Sequence, residues 1–309
     1  MTAPNGAAVG GPAAREPQTF AGPGRLARYA SLVKLPHTVF ALPFALVGVV
    51  LASYRAPVTP RHVLWVVVAF TAARFAAMAF NRLVDRDVDG ANPRTAAREI
   101  PSGLVGVREA QAATLAAGLV FVAAAWALNP LCGWLAPVAL LWVLGYSYAK
   151  RVTRWSHLVL GLGLGIAPVG GYLAVAGRWG EPWWLLPALS LAVTTWVAGF
   201  DIFYALQDEQ FDRAHGLRSV PAALGQRRAI GVARLLHVLT VLLLAAVAST
   251  VSGTWAWAGV ALAAALLLWE HRLVRPGDLS RLDAAFFTMN GVISIAFFAC
   301  VLAGRVLGR

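Results

Sequence analysis

Two acidic runs in this 309-residue chain have spacings suited to chemistry. From Asn81 to Gly103 the sequence reads NRLVDRDVDGANPRTAAREIPSG, in which Asn81, Asp85 and Asp89 recur every four positions. From Asp201 it reads DIFYALQDEQFDRAHG, with Asp201, Tyr204, Asp208 and Asp212 at steps of three, four and four. On a helix each set lines one face. Carboxylates crowded on such faces repel one another and resist leaving water, which raises their pKa values unless a cation lies between them. Oxygen donors without His or Cys suit a hard ion, and magnesium usually takes one or two carboxylates and completes its shell with water and phosphate oxygens. Arg94, Arg98, Lys150, Arg151 and Arg154 on adjacent segments carry the charge that a diphosphate would require.

The elements that position these runs are membrane spans. Hydrophobic residues make up 59% of the chain, charged residues 13%, and the mean hydropathy is +0.67, too little polarity to coat a soluble globule. Nine continuous apolar runs, near residues 35–54, 62–81, 110–128, 132–149, 156–176, 184–203, 228–250, 254–271 and 284–304, are each long enough to cross about 30 Å of hydrocarbon as a helix. A closed barrel would show short alternating segments instead. The expected fold is therefore an all-α polytopic membrane protein. Residues 1–30 read as a disordered cytoplasmic tail and 31–309 as one domain, and no signal peptide is apparent.

The acidic runs fall at the same end of the second and sixth spans, each followed by a basic stretch. Solvated loop charges would explain either run alone, but the repeated spacing at like ends favours a shared site. It also suggests that the first four spans and the next four are related halves. The formal charge of +12 is distributed asymmetrically: with nine spans, 20 of 26 Lys and Arg lie on the amino-terminal side, five lie opposite, and Arg74 lies inside a span. That bias places the amino terminus and both acidic runs on the cytoplasmic side of the cell membrane. Cations dispersed over membrane loops with no binding module exclude nucleic acid as a partner.

These motifs resemble those of the UbiA superfamily of intramembrane prenyltransferases, N-x-x-x-D-x-x-x-D and D-x-x-Y-A-x-x-D-x-x-x-D. Both match without substitution, and the likeness covers about residues 30–305, including Arg94, Thr95 and Arg98 and the Tyr146–Thr153 segment. The resemblance implies nine helices around a central cavity open sideways to lipid, a polyprenyl diphosphate as donor and Mg2+ as cofactor. It implies further that Asp85, Asp89, Asp208 and Asp212 hold the metal, that Asn81, Asp201 and Tyr204 support catalysis, and that Arg94, Arg98 and Lys150 hold the diphosphate. One departure is Arg98-Glu99 where many relatives have Arg-Pro, which makes the local turn less secure.

Arg74 lies in the second span seven residues before Asn81, on the same face, where a cation costs roughly 2.5–3.5 kcal/mol and needs a partner. It either pairs with a buried acid or carbonyl, or clamps the carboxylate of an aromatic acceptor, with Lys34 and His37 as further candidates. The segments KLPHTVFALPF, MAFNRLVDR and NPRTAAREIPSG resemble the branch acting in the futalosine menaquinone route, whose acceptor is 1,4-dihydroxy-6-naphthoate, while other relatives prenylate 4-hydroxybenzoate. Both acceptors carry a carboxylate, so Arg74 does not separate them. Haem O and chlorophyll synthases share the scaffold with macrocyclic acceptors. A cation-coupled transporter would place its acids near midplane, whereas here they gather at one face. Gly161, Gly163 and Gly165 sit in an apolar span and read as helix-packing positions; Trp142, Tyr146, Tyr148, Trp196 and Phe200 are candidates to line the cavity. The oligomeric state is not legible. Cys132 and Cys300 read as packing residues.

Overall fold

The computed structural model describes residues 24–251, 253–282 and 288–308, with the side chains of residues 25, 26 and 35–40 left out. Most of the predicted tail, His37 and the start of the ninth predicted span fall outside these. The helices in order are α1 (Arg25–Leu32), α2 (Leu35–Ala52), α3 (Pro60–Val84), α4 (Arg86–Ala91), α5 (Val107–Leu128), α6 (Pro130–Gly145) and α7 (Ala149–Val152). They continue as α8 (Ser156–Ala176), α9 (Leu185–Ala205), α10 (Glu209–Ala214), α11 (Val220–Leu224), α12 (Gln226–Ala248), α13 (Trp255–Leu273) and α14 (Asn290–Leu307). Among the described residues there is no strand, only an isolated bridge between Arg275 and Asp278. Residues 25–30, expected as tail, are helical.

Helices stand at all nine predicted positions, and seven of them are long and apolar enough to cross a membrane. The other two are α2 (Leu35–Ala52), whose described side chains cover only Ala41–Ala52, and α13, whose last turn carries Glu270, His271 and Arg272. Helices thus stand at nine positions, and among the described residues seven of them meet the length and composition of a span. The chain is a multi-pass membrane protein. Leu115, Trp134, Leu141 and Leu235, each at least 66% exposed, face outward where lipid tails replace water. Trp179, Trp183 and Trp255 are also exposed close to span ends, as interfacial anchors should be.

One helix organises the rest. In the span formed by α9 and α10, 67% of the apolar window is buried, against 17–39% in the other six spans, so the second acidic run rides on the most interior helix. Helix α9 packs against α8 and α12, α3 against α5, and α2 against α8. Without a hydrophobic drive between helices in lipid, such contacts depend on close van der Waals approach, which small residues permit. A Cβ on Gly161 would come within 2.3 Å of the Thr194 carbonyl oxygen, and one on Gly165 within 2.6 Å of that of Ser190. The glycine stripe is therefore the contact surface of α8 on α9. Polar caps fix the helix ends: Asn129 accepts the Cys132 N–H at the start of α6 and donates to the carbonyls of Leu173 and Ala174 at the end of α8, at 2.9 and 3.2 Å.

Three spans break at the same end. Helix α3 gives way to α4 at Asp85, α6 to α7 through a 3₁₀ turn at Tyr146–Tyr148, and α9 to α10 through a 3₁₀ turn at Leu206–Asp208. The residue at each break has nearly the same backbone angles: Asp85 at φ −93°, ψ 5°; Tyr148 at −90°, −8°; Asp208 at −98°, 4°. This is the bridge region, which interrupts helical propagation without positive φ. The acidic runs are therefore bent rather than the straight helical faces that their spacing suggests.

Substituting Gly161 by Val should lower stability by about 2 kcal/mol or more, because the neighbour it meets is backbone that cannot rotate away. Gly231→Ala in α12, where an added Cβ meets nothing within 4 Å, should be neutral or stabilising. Thermal midpoints in detergent measure both; equal midpoints would contradict the packing.

Candidate active site

The second break sets the geometry of the site. As α9 ends, Asp208 points into a cavity lined by Asn81, Asp85, Asp89, Asn92, Arg94, Arg98, Lys150, Asp201, Tyr204 and Asp212. The segment after α4 crosses to meet it. Asn92 donates its side-chain amide to Asp208 at 3.1 Å, and the Arg94 guanidinium grips both Asp208 oxygens, from Nε at 2.9 Å and Nη2 at 2.6 Å. The remaining Arg94 nitrogen donates to the Tyr204 hydroxyl at 2.9 Å. The cross-chain fork joins the two acidic runs, which are more than a hundred residues apart in sequence.

Every aspartate of the predicted metal set is ion-paired. Asp85 faces Arg151 at 2.9 Å, Asp89 faces Arg98 at 2.6 Å and Arg82 at 3.8 Å, Asp208 faces Arg94 at 2.6 Å, and Asp212 faces Lys150 at 3.5 Å. Thus Arg94, Arg98 and Lys150, expected to face a diphosphate, lie here on the carboxylates. Asn81 donates to Asp85 at 2.9 Å, preserving the four-residue contact across the break. Arg154 does not join them; it lies over the Trp155 ring. Glu99, where many relatives have proline, accepts the Ser31 hydroxyl at 2.5 Å and ties α1 to this segment, and Arg98 stays on Asp89.

The electrostatics follow from burial beside like charge. Burial raises the Asp85 carboxyl above its ordinary value, Asp89 adds to the rise, and Arg151 only partly offsets it. Burial also acts against the charge on Arg94, but Tyr204 and Asp208 outweigh it and hold its pKa above the usual guanidinium value. Lys34, which has an αL backbone between α1 and α2, sits 5.5 Å from the centre of the Tyr204 ring. Burial and then Arg82, Arg98 and Arg94 push its ammonium well below the ordinary lysine value. Lys34 therefore lines the cavity beside Tyr204.

Arg74 lies deeper, at the junction with a second, almost wholly apolar cavity that includes Phe70, Phe121, Leu135, Val143, Ile166 and Leu173. Its Nε has no hydrogen-bond partner, and among the described residues no carboxylate pairs with it. Tyr146, Trp196 and Phe200 line the main cavity, but Trp142 donates to the Val159 carbonyl on the outside, and Tyr148 is half exposed beside Arg151, so these two expectations fail. Cys132 and Cys300 are free thiols.

Arg82, Asn92 and His157 escaped the sequence reading. Arg82 was legible only as a charge next to Asn81, although it is 3% exposed and lines the cavity. Asn92 and His157 carry no spacing signal.

Residues 41–298 match the UbiA prenyltransferase family. A 4-hydroxybenzoate octaprenyltransferase from Aromatoleum aromaticum is 33% identical over 230 residues, 74% of this chain and 77% of that protein. Another from Aeromonas hydrophila is 32% identical over 245 residues, 77% of this chain and 84% of the relative. Among solved structures, the apo form of a UbiA homologue from Aeropyrum pernix K1 superposes with a TM-score of 0.78 at 35% identity, covering 86% of this chain and 97% of that one. A homologue from Archaeoglobus fulgidus bound to GPP and Mg2+ shares the fold at a TM-score of 0.69 and 22% identity, over 89% of this chain and 98% of that one. An all-helical membrane bundle whose two acidic runs meet over an internal cavity defines an intramembrane transferase. The chain belongs to the UbiA prenyltransferase family and is a prenyltransferase.

Because the Arg94–Asp208 pair is buried and forked, Arg94→Ala should destabilise the ligand-free protein by about 3 kcal/mol. Adding Asp208→Ala should cost less than the sum of the single changes, since the stranded charge is then gone. Additive losses in a double-mutant cycle of thermal stability would argue against the fork.

Proposed function

We propose that this prenyltransferase ionises a polyprenyl diphosphate at the cavity mouth and joins the allylic carbon to the ring of an aromatic carboxylic acid, 4-hydroxybenzoate or 1,4-dihydroxy-6-naphthoate, in quinone biosynthesis. One observation carries the reading. Two paired acid and base clusters and a deep arginine with no carboxylate partner open onto the same cavity, with an apolar annex beside it.

The donor set fits magnesium. It offers carboxylate oxygens only, and the buried Oδ2 of Asp89 has no hydrogen-bond partner. Magnesium takes few protein ligands and fills its shell from phosphate and water. Asp85, Asp89, Asp208 and Asp212 would hold magnesium, one or two carboxylates to an ion, and bound there it would neutralise charge gathering on the departing diphosphate.

Arg94, Arg98 and Lys150 then have a second set of anionic partners in the phosphate oxygens. The same side chains that neutralise the carboxylates turn to the leaving group, where fixed positive charge acts most strongly because water is scarce. Lys34, Tyr204 and Arg82 border that position, and burial together with the neighbouring cations, which lower the Lys34 pKa, make a polyanion a favourable partner there. Asn81 steadies Asp85. Deeper in, Trp196, Phe200, Leu160 and Leu164 present apolar walls that keep water from the allylic cation. Arg74 receives the acceptor carboxylate, and the second cavity gives apolar room beside it for the prenyl chain. The positive bias of one set of loops supports an active site on the cytoplasmic side of the cell membrane, with the amino terminus on that side.

The acceptor is decided by incubating purified protein in detergent with magnesium, a long prenyl diphosphate and either acid, and reading the product mass. Asp85→Asn and Asp208→Asn should each lower prenyl transfer about 100-fold or more, and chelation should abolish it until magnesium is returned. Near-normal turnover by either variant would remove the metal assignment. Arg74→Ala should weaken binding of carboxylated acceptors by about 2 kcal/mol while sparing decarboxylated analogues. Unchanged discrimination between the two would refute the clamp.

A further inference from the structure

Asp201 opens the second acidic run, yet it is built differently from the other four site aspartates. Its ion-pair partner is not an arginine or a lysine but His157 on α8, whose Nδ1 lies 2.6 Å from Asp201 Oδ2. His157 is 1% exposed, and its Nε2 accepts the N–H of Val220 at 3.3 Å. Val220 is the first residue of α11, so this amide is one that the helix itself leaves unsatisfied. A ring nitrogen that accepts a hydrogen bond carries no proton. The proton of the neutral imidazole is therefore on Nδ1 and is donated to Asp201.

The consequence is a carboxylate fixed in one orientation, held from behind through one oxygen and facing the cavity with 22% of its side chain exposed. Asp201 lies within α9, seven residues before Asp208 on the way into the bundle, and lines the same cavity as Arg74, Asp208 and Asp212.

Resting on the aromatic acceptor reading above, we propose that Asp201 accepts the proton that the acceptor ring must lose, and that His157 is the positioning residue that aims it. The balance is complete without a co-reactant. The bond between the allylic carbon and oxygen breaks, and its electron pair leaves on the diphosphate. A ring π pair forms the new carbon–carbon bond, which leaves the bonded ring carbon tetrahedral and the positive charge spread over the rest of the ring. Its hydrogen passes as a proton to the Asp201 oxygen not bonded to His157, and the C–H electron pair restores the aromatic ring. Neutral Asp201 then gives the proton to water at the mouth. A cationic ring of that kind is a strong acid, so a carboxylate is an adequate base for it. What the dyad contributes is placement, which governs proton transfer within a bound complex. His157 itself cannot take the proton, since its accepting nitrogen is committed to Val220. The competing base is the departing diphosphate.

The test uses purified full-length protein with magnesium, geranyl diphosphate and whichever of the two acids the wild type prenylates, in ordinary and ring-deuterated form. Asp201→Asn should lower kcat about 100-fold or more with KM for geranyl diphosphate changed less than about threefold. It should also reveal a primary isotope effect on ring deuteration that the wild type lacks, because proton loss becomes the slow step. His157→Leu should lower kcat about tenfold to 100-fold and show the same isotope effect, and His157→Asn, which keeps a donor toward Asp201, should recover most of the loss. If Asp201→Asn does not fold, the isotope comparison on His157→Leu decides. Slow variants with no isotope effect would assign the proton to the diphosphate and overturn the proposal, as would equal kcat for His157→Leu and His157→Asn. A wild type that prenylates neither acid would overturn the acceptor reading and the base assignment with it, and would be told apart by the missing product.

Discussion

Acidic and basic groups at the edge of a low-dielectric bundle must neutralise one another, and the rest of the structure is arranged around that constraint. An isolated carboxylate at this depth would lose several kcal/mol of hydration with nothing in return. Four aspartates are accordingly covered by Arg151, Arg98, Arg94 and Lys150. The pairs are not symmetrical in strength. Arg94 holds Asp208 through two short bonds, Arg98 reaches Asp89 at 2.6 Å and Arg151 reaches Asp85 at 2.9 Å, whereas Lys150 reaches Asp212 at 3.5 Å and Arg82 reaches Asp89 only at 3.8 Å. The forked Arg94–Asp208 pair joins the two acidic runs, and the longer contacts of Lys150 and Arg82 are the ones most easily exchanged for another partner. Divalent cations on the carboxylates and phosphates on the bases would preserve neutrality throughout, so on the proposed reading substrate binding is an exchange of counter-ions rather than the burial of new charge.

The breaks in the helices make this lattice possible. A straight α3 would carry Asn81, Asp85 and Asp89 along one ridge, and a straight α9 would do the same for Asp201 through Asp212. Interruption at Asp85 and at Asp208, with almost the same backbone angles, turns α4 and α10 away from their parent helices and points the acids inward. The third break, at Tyr148, brings Lys150 and Arg151 to face them. Three spans solving the same local problem with the same backbone conformation accord with an internally related architecture. The glycine contacts of α8 on α9 complete the arrangement, since they let the helix bearing His157 approach the helix bearing Asp201.

Much of this was legible in the sequence because the signals were periodic. Continuous apolar runs gave the helices, four-residue spacing gave the acids, and the seven-residue step from Arg74 to Asn81 placed a cation within the bundle. What was not legible depended on contacts between distant segments. Nothing in the spacing of Arg94, Arg98 and Lys150 indicates that they lie on aspartates in the ligand-free chain. The surroundings of Lys34 were not legible either, because a residue at the start of a span can turn either way; with an αL backbone its side chain lies beside Tyr204. Tyr148 and Trp142 failed as cavity residues because each turns to the outside of the bundle: Tyr148 is two residues on from the inward-facing Tyr146, roughly the opposite side of a helical turn, and Trp142 donates to the Val159 carbonyl.

The order of groups along the cavity bears on why such chemistry belongs in a membrane. Most of the charge gathers at the mouth, where Asp208, Asp212 and their partners lie; deeper in are Trp196 and Leu160, with Arg74 at the border of the apolar annex. A leaving group needs fixed charge and hydration, a carbocation needs neither, and an acceptor needs one anchoring contact that orients it without bringing water along. Separating these needs along one axis lets each region have the dielectric suited to its task. A soluble enzyme would have to build the apolar section from its own core, whereas a helical bundle in lipid can open that section to the solvent in which a long prenyl chain already resides. The polar groups that remain in the apolar region are therefore few: the buried His157 ring is tied by Val220 on one side and Asp201 on the other, whereas the Arg74 Nε is left without a hydrogen-bond partner.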